Sequence, residues 1–240
     1  MIHLEDTPNH AGVYVTGDLN DFDDLYEALH EIVGEEGEYV HYDAVRTRVL
    51  GLCYDLRHAM MGNRGTRFVP NGMDREKRLR QSIACSESNV YLQCGILWPE
   101  LLFISFALND FIGIREHQKK PPLWDPVTAT VRKFQAAVQT CLSETLPESK
   151  FSRCKRYLRA GRGNSYSRYL TQYIDELNLN FLHMDADERF NSISVMVKRV
   201  NEKNARYSEL HTQFLNAARH YGVDVEELQY KGDYPEMIDW

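Results

Sequence analysis

Two carboxylate–imidazole pairs stand one helical turn apart in this chain, Glu27-x-x-His30 and Asp55-x-x-His58. Helical bundles hold metal ions with that spacing when further acids face the pair. The helical wheel argues against a metal here. Glu27 lies opposite the Leu25, Leu29 and Ile32 stripe with His30 on its flank, and Asp55 and His58 share a polar side with Thr47 and Gly51, so ligands would face water. His183-x-Asp185-x-Asp187-Glu188 lacks the glycine and the distal glutamate of a calcium loop and reads as a helix cap. Cys85, among Ser82, Ser86 and Ser88, has no histidine near it in sequence to activate a thiolate. The Gly-x-Ser-x-Gly elbow, His-Glu-x-x-His, the P-loop and a Gly-x-Gly-x-x-Gly after a strand are all missing. These residues call for no catalytic group, no metal and no cofactor.

Two other patterns carry more. Ser105, Asn109 and Gly113 stand at four-residue steps on the most apolar segment, with Asp110 beside them, so polar atoms there must be satisfied in or near the core. Small residues at that spacing let another helix approach, and Asn109 or Asp110 would cap or cross-link it; a pocket along Ser105, Asn109 and Asp110 is the alternative. Charge is also unevenly placed. Nine acids and no lysine or arginine fall between Asp18 and Glu38, whereas seven bases and no acid fall between Lys150 and Arg168. Residues 62–80 add six bases against two acids. Arg64 and Arg67 in the first basic loop, and Arg159, Gly161, Arg162 and Gly163 in the second, combine guanidinium groups with glycine N–H donors that could hold an anion. A solvated face is the plainer account of such charge runs.

The longest periodic signal lies further on. Phe190, Ile193, Val197, Val200, Asn204, Tyr207, His211 and Phe214 follow at spacings of three and four, as in a heptad seam, and predict one helix over 186–221. At about 1.5 Å per residue such a helix is too long for a domain of this size to cover along its whole length. The polar Asn204 and His211, one heptad apart, would then set register against a partner.

The elements that must position these groups can be read from periodicity and turn chemistry. Residues 2–4 and 13–16 predict a hairpin, and 90–96 a third strand paired with it. Amphipathic helices are predicted after Asn20, over 43–61 and after Asp125, with a core helix over 101–114 and a further stripe through Tyr166, Leu170, Tyr173, Leu177 and Phe181. Residues 151–158 predict a short helix, and 62–80 a long mobile loop in which Arg67-Phe68-Val69 is the one candidate strand. Lys119-Lys120-Pro121-Pro122 divides an α+β half, 1–120, from an all-helical half, 121–240, the two sharing one core in a single domain.

A chain of 240 residues, 43% hydrophobic, can bury a core without staples. Its formal charge of −7 repels nucleic acid and anionic membrane, and no apolar run reaches the roughly 20 residues of a membrane span. Five scattered cysteines and an acidic start, Met1-Ile2-His3-Leu4-Glu5-Asp6, fit a reducing cytoplasm and argue against export.

Gly12-Val13-Tyr14-Val15-Thr16-Gly17-Asp18, Leu25-Tyr26-Glu27-Ala28-Leu29-His30, the stretch 49–58, Leu97-Trp98-Pro99-Glu100 and the ending 234–240 resemble an uncharacterised bacterial protein family over nearly the whole chain. That family has no assigned activity, so the resemblance implies a bacterial cytoplasmic protein and no site residue. The fold expected is α+β and predominantly helical: a small antiparallel sheet with several helices, then a helical half with one heptad-like helix of about 35 residues. The expected function is a non-enzymatic interaction module, a homo-oligomer joined through 186–221. The alternative is a binder of nucleic acid or a phosphate-bearing small molecule through loops 62–80 and 150–168.

Overall fold

The computed structural model describes residues 1–159 and 165–240. Strand β1 (His3–Asp6) turns into β2 (Gly12–Gly17), and β2 pairs with β4 (Ser88–Leu97), on whose far side lies β3 (Gly65–Pro70). The sheet is antiparallel throughout, in the order β1-β2-β4-β3. Alternation sets its faces: Val13, Val15, Cys94 and Ile96 are buried while Tyr14 and Gly95, paired between them, look the other way.

Helix α1 (Leu19–Val33) starts at a capping box between Asp18 and Asp21 and ends at Gly34, whose φ of 69° suits glycine. It lies against α2 (Asp43–Met60) and α5 (Pro126–Thr145). The central element is α4 (Trp98–Gln118), the longest helix described at 21 residues, opened by Pro99 near its first turn. It is apolar all round and is enclosed by α1, α2, α5, α7 (Gln172–Leu182) and α8 (Ala186–Asn201). One cluster of buried side chains runs from Leu4 of β1 to Leu210 of α9 (Ala205–Tyr221).

The fold is α+β and predominantly helical, as expected, but the 35-residue helix does not form. The seam divides into α8 and α9, and Asn204 is the residue that divides it. Its Oδ1 accepts from the Tyr207 backbone N–H (2.9 Å) as the N-cap of α9, and its Nδ2 donates to Tyr173 Oη (3.0 Å). Asparagine competes for backbone donors inside a helix and is among the best N-caps, so a polar seam position became a break. Three smaller differences have equally local causes. The basic loop contains both β3 and α3 (Arg75–Gln81), the latter capped by Asp74. The short helix α6 runs Glu148–Cys154, earlier than expected because it starts straight after Pro147. The tyrosine stripe enters its helix only at Gln172, the Tyr166–Leu170 portion being irregular with a turn at Ser167 and Arg168.

Candidate functional site

The structure scatters the sequence-derived candidates. Of the seam, Ile193, Val197, Val200 and Tyr207 are buried within the chain, and Phe190, Asn204, His211 and Phe214 are half-buried. Arg64 pairs with Asp55 (2.8 Å) and Arg67 with Glu5, while Arg159 is exposed and Gly161, Arg162 and Gly163 lie outside the described residues. The Ser105 hydroxyl donates to the Leu101 carbonyl (2.7 Å), and Asn109 Oδ1 accepts from Arg132 (2.6 Å). Asp110 accepts from the Tyr166 N–H (2.7 Å) and Tyr42 Oη (3.0 Å), tying α4 to the chain just before α7. Ser105 and Asn109 do border a pocket, but a small one of about 220 Å³ against α5. His30 and His58 each pack on a tyrosine one turn back, Tyr26 (4.5 Å between ring centres) and Tyr54 (4.1 Å), and Asp55 is held by Arg64.

The largest concavity among those described lies on the outer side of β4, and of those candidates Asp55 and Arg64 line it. It is an open cleft of about 880 Å³ between α2, the β4–α4 junction, α7 and residues 234–240 of the C-terminal segment. Arg48 of α2 stands between two carboxylates at its floor, donating to Glu100 Oε2 (3.0 Å) and pairing with Asp175 (2.5 Å). Asn178 of α7, 2% exposed, donates through Nδ2 to the same Glu100 oxygen (2.8 Å) and to Tyr234 Oη (3.2 Å). Those two bonds fix which way the amide faces. Its Oδ1 is left buried with no hydrogen-bond partner among the described residues. Burial holds the Glu100 carboxyl above its ordinary range despite Arg48. The Tyr234 hydroxyl is pushed up to about 12, mainly by burial, although 42% of the residue is exposed, because its phenol end sits inside this network and donates to Asp175 Oδ1 (3.2 Å).

The roof is built from the chain's last residues. Gln172 donates to the carbonyls of Val225 (2.9 Å) and Leu228 (2.6 Å), Tyr230 bonds to Glu176 (3.3 Å), and Arg189 donates to the Asp239 carbonyl (3.2 Å). Asn9 holds the Asp239 carboxylate (2.7 Å). Trp240 then lies over two strand glycines: a Cβ on Gly95 would stand 2.9 Å from its ring, and one on Gly12 2.8 Å. Glycine inside a strand marks such close approach.

Gly51 sits mid-helix in α2 on the cleft wall, where an added Cβ would meet nothing within 4 Å. Gly51→Ala is therefore expected to stabilise the chain by about 0.5–1 kcal/mol through helix propensity alone. A thermal melt should show a rise of roughly 1–4 °C, and an unchanged midpoint would mean that the helix needs glycine there for another reason.

Fold and site together define an α+β protein with a roofed polar-floored cleft and, among its described residues, no group of three or more acids, histidines or cysteines placed to hold a metal ion. Among the same residues no helix is long and apolar enough to cross a membrane. The chain belongs to a family described as a domain of unknown function, DUF6904, whose profile matches residues 2–240. Neither the curated proteins nor the solved structures compared with it gave a match.

Proposed function

We propose that this protein binds a small molecule carrying an amine in the cleft roofed by residues 234–240, and that binding is its function. The observation that carries the reading is Asn178, which lines the cleft and whose buried Oδ1 has no donor among the described residues. A buried polar atom left unpaired costs about 1–3 kcal/mol, which a ligand N–H would recover. Positive charge is favoured because Asp55, Glu100 and Glu236 line the cleft against Arg48 and Arg64, and Asp175 pairs with Arg48 as well. Ile96, Ile104 and Met237 supply apolar wall for the rest of the ligand. The setting proposed is a bacterial cytoplasm, in keeping with five free cysteines, of which Cys53, Cys94 and Cys141 are pushed up to about 12 by burial. The shared core cluster supports treating 1–240 as a single domain.

Phenethylamine and 3-phenylpropionate, which share a ring and differ in the sign of charge, separate the reading from nonspecific binding. Millimolar phenethylamine is expected to raise the melting midpoint by mass action, and 3-phenylpropionate to leave it unmoved. Gly51→Leu, which puts a side chain into open space at the cleft wall, should keep the fold and lose the response. Equal stabilisation by both compounds, or an undiminished response in Gly51→Leu, would contradict the proposal.

A further inference from the structure

Between residues 61 and 93 no residue is buried, although this arm holds a strand, a helix and the outer half of β4. Phe68 (71% exposed) and Val90 (54%) are direct cross-strand partners. They continue the face of the sheet that Cys94 and Ile96 bury further along β4, so apolar surface of core type runs out past the core. Leu79 of α3, in the same arm, is 72% exposed. A surface of this kind on a protein of this size marks a contact with something else.

Charge says what the contact is. In α3, Lys77 pairs with Asp74 (3.7 Å) and Arg78 with Glu87, whereas Arg75 and Arg80 have no ion pair among the described residues. At the opposite sign, Asp18 and Asp21 are engaged in the α1 capping box and Glu31 with Arg115 (2.9 Å). Asp23, Asp24 and Glu27 on the exposed side of α1 have no ion pair among the described residues, and Leu19, 58% exposed, lies beside them at the helix start. Each copy thus carries a basic apolar arm and an acidic face, each without a mate.

We propose that the β3–α3 arm of one copy docks on the α1 face of a second copy, with Arg75 and Arg80 opposite Asp23, Asp24 and Glu27. Pairing β3 edge to edge would bring two basic arms together, which like charge opposes. Nucleic acid would satisfy the arginines but leave Leu79 without an apolar surface, and a chain of net charge −7 repels it as a whole. This contact stands apart from the cleft and is tested separately.

Sedimentation velocity of the full chain from 1 to 200 μM should show the mean mass rising with concentration at 50 mM salt, with a dissociation constant at least tenfold weaker at 500 mM. The Arg75→Glu, Arg80→Glu variant and the Asp23→Lys, Asp24→Lys, Glu27→Lys variant should each remain monomeric, with unchanged circular dichroism because all five side chains are at the surface. Mixing the two variants should restore a complex. A wild type that stays monomeric throughout, association that survives both charge reversals, a mixture that does not associate, or a monomer that binds a duplex RNA through Arg75 and Arg80 would each overturn the proposal.

Discussion

Arg48→Met is expected to destabilise the chain by about 3–5 kcal/mol at neutral pH, since removing one partner of a buried ion pair strands the charge that remains. Methionine keeps much of the stem's packing, so the loss isolates the guanidinium. Arg48 is 20% exposed, Glu100 16% and Asp175 23%, which leaves the two carboxylates little water to replace it. Against a typical total of 5–15 kcal/mol the effect is large, and a midpoint roughly 10 °C lower follows. The pH dependence has a definite sign. Burial already raises Glu100 in the folded chain, so its contribution is fully present below its ordinary value near 4.5 and is lost as pH rises through the folded value. Without Arg48 that value climbs further, and the deficit of the variant should be greatest at pH 7 to 8 and shrink toward pH 4. Urea unfolding at pH 7.5 and pH 4.5 measures both; a deficit equal at the two pH values would place the effect in packing.

Asp125→Ala should cost a similar amount, about 4 kcal/mol, with the opposite response to acid. Asp125 caps α5 by accepting from Thr128 N–H (3.1 Å) and Oγ1 (2.6 Å), and binds Arg115 through Nε (2.9 Å) and Nη2 (3.0 Å). Both ionic side chains are 8% exposed. Loss of the cap accounts for about 1 kcal/mol and the stranded guanidinium for most of the rest, with Glu31, still 2.9 Å from Arg115, limiting the damage. The Arg115 hydrogen bonds hold Asp125 well below the usual carboxylate range. Its stability is therefore present above the unfolded value near 3.8 and is lost as pH falls through the folded one. Wild type and variant should stay apart at pH 7 and pH 5 and converge only below about pH 3. Asp125→Asn, which keeps an acceptor for the cap, should lose less; an equal loss would assign the whole effect to the charge.

Much of the fold was legible because most elements carry a local signal. The β1–β2 hairpin, β4, α1, α2, α4 and α5 each declare themselves by period and by a cap or breaker within a few residues. Asn204 shows where that logic stops: its spacing fits a heptad seam and its chemistry fits an N-cap, and Tyr173, far away in sequence, holds it as a cap. The cleft was not legible, for a related reason. Arg48 and Glu100 are 52 residues apart and Glu100 and Asn178 are 78 apart, so no motif window contains two of them. The traces in the sequence are Asp55 and Arg64, which line the cleft, and Gly95, a glycine inside a strand that marks the close approach of a ring, Trp240, from far along the chain. The Ser105, Asn109 and Asp110 stripe was visible because it sits on one helix; the Ser105 hydroxyl bonds within that helix, and Asn109 and Asp110 are engaged from outside it.

The claim on which the functional reading rests is that Asn178 Oδ1 lacks a donor until a ligand supplies one. The side-chain amide signals of Asn178, assigned in a ¹⁵N-labelled sample by their loss in Asn178→Leu, report on the amide group to which that oxygen belongs. Titration with phenethylamine should move this pair saturably, together with backbone amides near Gly51 and Gly95, while 3-phenylpropionate leaves them in place. A saturable response elsewhere in the chain with the Asn178 signals unmoved would contradict the account.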